Sequence, residues 1–61
     1  MIQPQDTVLD VEHVAAILGV APWTVREEIR KGRLQSFRVG RLIRVSREAL
    51  ERYVAPQRAA L

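Results

Sequence analysis

The sequence contains no cysteine, which removes disulfide staples and every thiolate metal site and is compatible with a reducing cytoplasm. No apolar run approaches the ~20 residues needed to span a bilayer, so no membrane segment is expected. The first residues, Met1-Ile2-Gln3-Pro4-Gln5-Asp6, carry no basic residue and no long apolar stretch, unlike a secretory signal. Histidine occurs once, at His13, among apolar neighbours, so no second imidazole can share a metal. No nucleophile motif and no glycine-rich phosphate loop is present, and the acids Asp6, Asp10 and Glu12 sit together on a tail and a helix start. An enzyme, a bound metal and a cofactor are therefore not expected. The single tyrosine, Tyr53, falls on an apolar helical stripe, and a chain of 61 residues is too small to be a tyrosine recombinase. That length makes one domain at most, with a small core and modest stability.

A further absence is positional. Residues 1–25 contain no lysine or arginine and three acids, Asp6, Asp10 and Glu12, a balance of −3. Residues 26–61 hold all ten basic residues against the acids Glu27, Glu28, Glu48 and Glu51, a balance of +6. The net charge is only +3, but seven of the basic residues lie within residues 26–44. Such asymmetry fits the electrostatic footprint of a polyanion-binding surface, with a solvated basic face as the plain alternative.

The chain order that periodicity predicts is helix, tight turn, helix, hairpin, helix. Residues 1–8 lack periodicity, contain Pro4 and read as a tail. Asp10 can N-cap a helix from Val11, on which Val11, Val14, Ala15 and Leu18 share a face, and Gly19 stops it. A second helix starts with Pro22 at its first position behind Ala21, a poor capping residue. Val25 and Ile29 give this helix a narrow apolar stripe, and Gly32 ends it after Arg30 and Lys31. From residue 33 to 45 the period changes. Phe37, Val39, Ile43 and Val45 alternate with Arg38 and Arg44 around Gly40-Arg41-Leu42, which predicts a β-hairpin with a three-residue loop. Ser46 suits the N-cap of a third helix with Glu48 in its first turn, Leu50, Tyr53 and Val54 inside, and Pro56 as its stop. The expected organisation is thus a tail over 1–8, one mainly α domain with a small β-hairpin over 9–54, and a second tail over 55–61. Two short helices joined at a glycine form a helix-turn-helix, and the hairpin after them is a wing.

Such a fold presents the N-terminal part of its second helix to base edges in the major groove of duplex DNA. With Val25 and Ile29 inward at ~100° per residue, Trp23, Glu27 and Arg30 point outward, and Arg26 and Lys31 flank them. Arg26 and Arg30 can pair with guanine or clamp phosphates, or simply be solvated. Thr24, near the positive end of the helix dipole, suits a phosphate contact. Glu27 reads as a helix salt-bridge partner, with Lys31 four residues on. Trp23 either touches thymine methyls, packs on the sugar-phosphate backbone, meets another protein, or folds down onto the third helix or the N-terminal tail. In the wing, a three-residue loop sets Val39 opposite Ile43 and Phe37 opposite Val45, all inward. It then sets Arg38 opposite Arg44 on the outside, a like-charge pair that a phosphate would relieve. Arg41 stands at the tip. Leu42 there inserts shallowly into the minor groove, meets a neighbour, or covers the hairpin edge.

Leu9 through Val20, Thr24-Val25, Arg30-Lys31-Gly32, and Phe37-Arg38-Val39-Gly40 through Arg44-Val45 together resemble the excisionase-type, MerR-like winged helix-turn-helix family. The resemblance covers about residues 8–54. The chain departs from the family pattern at Ala21, Pro22, Arg41, Ile43 and Ser46. The resemblance implies a recognition helix over residues 22–31 in the major groove (Pro22, Trp23, Thr24, Arg26, Glu27, Arg30, Lys31). It implies a wing over residues 38–44 along the adjacent minor groove (Arg38, Gly40, Arg41, Leu42, Arg44). It also implies cooperative, head-to-tail binding to tandem sites by several copies, DNA bending, and help to a phage or plasmid integrase of the tyrosine or serine type in excision. The absence of an effector domain fits that role, and the two tails become candidate contacts with a neighbouring copy or with integrase. A small transcriptional regulator with the same fold is the alternative. A protein-interaction module with a basic face is the alternative of another class.

Overall fold

The aspartate at position 10 and the glycine at position 19 bracket the first helix as their chemistry requires. In the computed structural model, which describes residues 8–59, α1 runs Val11–Leu18. The Asp10 carboxylate accepts the His13 backbone N–H at 2.8 Å, satisfying one of the donors that a helix start leaves unpaired. Gly19 takes φ +71°, so the N–H groups of Gly19 and Val20 turn back to the carbonyls of Ala16 and Ala15. The second helix, α2 (Pro22–Arg30), starts behind Ala21 with no side-chain cap. It ends with the same backbone device, Gly32 N–H to Ile29 and Arg33 N–H to Glu28. That reversal turns Leu34 into the core, where it is 1% exposed. No sequence pattern flagged Leu34, because it stands alone between polar residues.

A three-stranded antiparallel sheet follows, in the order β1-β3-β2, from β1 (Val8–Leu9), β2 (Phe37–Val39) and β3 (Leu42–Ser46). The strand β1 is an addition to the expected architecture. Val8, assigned above to the tail, pairs with Ser46, and Leu9 pairs with Val45, which seals the core beside α1. Two residues are too short to show alternation, so only the partner strand defines them. The remainder of the expected tail, residues 1–7, lies outside the described residues, as do Ala60 and Leu61.

The third helix, α3 (Arg47–Ala59), starts with the Ser46 hydroxyl accepting the Ala49 N–H at 3.0 Å. It does not stop at Pro56, as expected, but carries that proline inside. A proline removes one N–H bond and crowds the carbonyl four residues back, and here the Gln57 side-chain amide Nε2 donates to the Tyr53 carbonyl at 3.4 Å in the same turn. The core is Leu9, Val11, Val14, Ala15, Val25, Leu34, Val45, Ala49 and Leu50, with Leu18, Ile29, Ile43, Tyr53 and Val54 packed around it. Both helices of the helix-turn-helix and the inward face of the hairpin therefore hang on one small apolar centre.

The hairpin register corrects one expectation. The loop has two residues, Gly40-Arg41, and the pairs are Phe37 with Arg44, Arg38 with Ile43 and Val39 with Leu42. Gly40 adopts φ +63° and, among the described residues, no non-glycine residue has positive φ, the pattern of a Gly-X turn that closes two strands with the correct twist. A shift of one residue in β2 turns the strand over. Arg38 and Arg44 are therefore not opposite one another. Phe37 and Val39 are not in the core but 43% and 57% exposed, on the outward face with Leu42, 53% exposed, and Arg44.

Candidate nucleic-acid interface

With Val25 buried and Ile29 packed against the core, the exposed strip of α2 is Pro22, Trp23, Arg26 and Arg30, while Glu27, expected to point outward, is partly buried. Trp23 stays outside, 67% exposed, and does not fold down onto α3. Thr24 is half-buried and lines a separate shallow depression with Leu18, Val20, Glu28, Leu34 and Tyr53.

Each arginine of the strip faces an acid. The Arg30 guanidinium holds both Glu27 carboxylate oxygens, with Nη2 to Oε1 at 2.8 Å and Nε to Oε2 at 3.1 Å. Glu27 thus pairs with Arg30 three residues on, rather than with Lys31 as expected, because the planar guanidinium can grip both oxygens where an ammonium offers one point. The hydrogen bond from Arg30 holds the Glu27 carboxyl below its ordinary value, and Glu27 raises that of Arg30 in turn. Arg26 lies 4.0 Å from Glu12 of α1. Both pairs are solvent-exposed, so an incoming phosphate or base edge can displace them at little loss.

Glu28, adjacent to Glu27, points the other way. Its Oε1 accepts the Tyr53 hydroxyl of α3 at 2.8 Å, and its Oε2 accepts Arg33 Nη1 at 3.1 Å. The Tyr53 hydrogen bond, with the charge of Arg33, holds the Glu28 carboxyl below its ordinary value. Burial first, and the bond to Glu28 second, raise the Tyr53 phenol. This contact ties α2 to α3. Sequence reasoning missed it, since the partners are 25 positions apart.

The wing supplies the other half of the surface. Arg26 of α2 and Arg41, Leu42, Ile43 and Arg44 of the hairpin line one groove together with Asp10, Val11 and Glu12. Three of the expected DNA-contacting cations, Arg26, Arg41 and Arg44, thus share a concave surface between helix and wing. Arg44 donates from Nη1 to the Ile43 carbonyl at 2.8 Å, which fixes its direction. Its charge also contributes, after the His13 backbone N–H, to holding the Asp10 carboxyl down. Arg30, Lys31 and Arg38 lie outside this groove. Among the described residues Arg38, Arg41 and Lys31 make no ion pair. No group of three His, Cys, Asp or Glu side chains gathers as a metal site among the described residues, and none of their helices is long and apolar enough to cross a membrane.

A helix-turn-helix domain family matches residues 8–58. Over 47 residues the chain is 45% identical to the excisionase of Mycobacterium phage D29, which covers 75% of this chain and 84% of that protein. Over 43 residues it is 46% identical to the uncharacterized protein YvgK of Bacillus subtilis (strain 168), covering 70% of this chain. The matched region spans only 14% of the length of the Bacillus protein. No solved structure matches the chain significantly.

Proposed function

Since the chain belongs to the excisionase-type helix-turn-helix family, we propose that it is an architectural DNA-binding factor that promotes excision by a phage or plasmid integrase. In this reading α2 enters the major groove and the hairpin follows the adjacent minor groove. Arg41 and Arg44 grip the backbone, Arg26 beside them reaches both a phosphate and a guanine edge, and Arg30 exchanges Glu27 for DNA. Several copies bind tandem sites cooperatively and bend the duplex, so that a tyrosine or serine integrase recombines in the excisive direction. The protein acts by binding and shaping DNA in the cytoplasm of a bacterial host, with no chemistry of its own.

The observation that carries this reading is the shared groove, in which one cation of the recognition helix and two of the wing line the same concavity. A phosphodiester backbone is the polyanion whose repeating charge fits cations on two neighbouring elements. Similarity to a phage excisionase over 84% of that protein's length supports the excisive role. The decisive experiment is a mobility-shift titration on a fragment carrying the attachment site, with integrase-dependent excision assayed in parallel. A ladder of cooperative complexes, bending, and a directional effect on integrase are expected. Binding to a promoter with no effect on integrase would instead make the protein a transcriptional regulator.

A further inference from the structure

The exposed strip of α2 has two chemically different ends. Toward its C-terminus stand Arg26 and Arg30, both paired with acids. At its N-terminus stands Trp23, an indole left open to water. Residues 14–25 contain no charged side chain at all, and within that stretch Ile17 and Val20 are also exposed, by 60% and 40%. The first turn of α2 carries no acid and no side-chain cap. This end of the helix can therefore neither clamp a phosphate with a cation nor form a salt bridge, and what it offers is apolar area.

The N-terminal part of a recognition helix is the part that meets base edges. Base pairs present one apolar group on the major-groove edge, the 5-methyl of thymine. We infer that Trp23 reads the 5-methyl group of a thymine in the major groove, an inference that rests on the DNA-binding mode proposed above. Trp23 and Arg26 are three residues apart, ~4.5 Å along the helix axis, against a rise of roughly 3.4 Å per base pair. The thymine then lies one or two steps from the base pair beside Arg26, whose guanidinium suits guanine. Trp23 thus contributes sequence preference beside Arg26, where the wing arginines Arg41 and Arg44 contribute general affinity.

The test begins with duplexes selected from a random library by the full chain. Each thymine is then replaced singly by uracil, which deletes the methyl and leaves base pairing intact. The unmodified protein should bind about fourfold more weakly at one or two of these positions, the worth of burying a group of methyl size, and unchanged at the rest. Trp23→Ala should bind the thymine and uracil forms equally, and Trp23→Phe should keep part of the discrimination. Because Trp23 is the only tryptophan, its emission in the unmodified protein gives a readout that needs no variant, and it should shift to the blue on the selected duplex. Tight binding to selected duplexes with no preference for thymine over uracil overturns the inference while leaving the DNA-binding mode intact. So does discrimination that survives in Trp23→Ala, or unchanged emission. Failure to select any duplex overturns the DNA-binding mode itself and this inference with it.

Discussion

Glu27 and Glu28 are neighbours in sequence with opposite tasks. Glu27 faces the exposed strip and occupies Arg30, while Glu28 faces α3 and binds the Tyr53 hydroxyl and Arg33. Replacing Glu27 by Gln should release Arg30 and raise affinity for unrelated duplexes two- to fivefold at low salt, measured by fluorescence anisotropy, with the thermal midpoint nearly unchanged. Replacing Glu28 by Gln should do the reverse, lowering the thermal midpoint with little effect on non-specific affinity. The Glu28 carboxyl is held below its ordinary 4.5 in the folded state. Its contribution to stability is therefore fully present above pH 4.5 and is lost as pH falls through the lower folded value. Acid denaturation followed by circular dichroism should show the wild type losing more stability below that pH than Glu28→Gln loses. Leu34, 1% exposed, is the largest fully buried side chain among the described residues. Leu34→Ala should cost ~2–5 kcal/mol, comparable to the whole stability of a domain this small, and should leave much of the population unfolded at 25 °C in a urea titration.

At the scale of elements, backbone conformation decides more than side-chain pattern. Gly19 sits at φ +71° with open space where a Cβ would stand, so Gly19→Ala is a conformational change without a clash. It should destabilise the domain by ~1–2 kcal/mol in denaturant, with the slope m unchanged. The wing shows the same principle in its register. Gly40 closes a two-residue loop, and that single choice puts Phe37 and Val39 outside and Arg38 on the face of Ile43. Alternation correctly marked the strands and the face that β3 buries, but not that all three residues of β2 are exposed. The third helix continues through Pro56, so Pro56→Ala should add helical signal in the far ultraviolet without altering DNA affinity, since its segment lies away from the groove.

The whole molecule is electrically lopsided, −3 over residues 1–25 and +6 over residues 26–61, yet the fold interleaves the two parts. Asp10 and Glu12 line the groove beside Arg26, Arg41 and Arg44. In the proposed DNA-binding mode these acids discourage loose association with any polyanion, and Glu12, 4.0 Å from Arg26, yields to a backbone of the right shape. With about five phosphate contacts, the log–log salt slope of DNA binding should lie near −4 to −5. Replacing Arg41 and Arg44 together by Ala should reduce its magnitude by about 2 and weaken binding to all sequences alike. Arg26→Ala should also relax sequence preference. A wing variant with altered base preference and full affinity would reverse this division between helix and wing.

The sequence by itself determined the two glycine-ended helices, the Asp10 and Ser46 caps, the hairpin, and the segment that holds the basic residues. These follow from local rules that act over three or four positions. The positions of Val25 and Ile29 also pointed Trp23 outward, but only the tertiary structure decided that its indole does not fold down onto α3. Only the tertiary structure decided that Val8–Leu9 is a strand, that Leu34 is core, that Glu28 binds Tyr53, and that Arg26 shares a groove with Arg41 and Arg44. Each of these depends on partners far apart in the chain. The basic helix and hairpin visible in the sequence therefore stand, but the outer face of the wing is apolar as well as basic, because a turn one residue shorter rotates a strand by half a period.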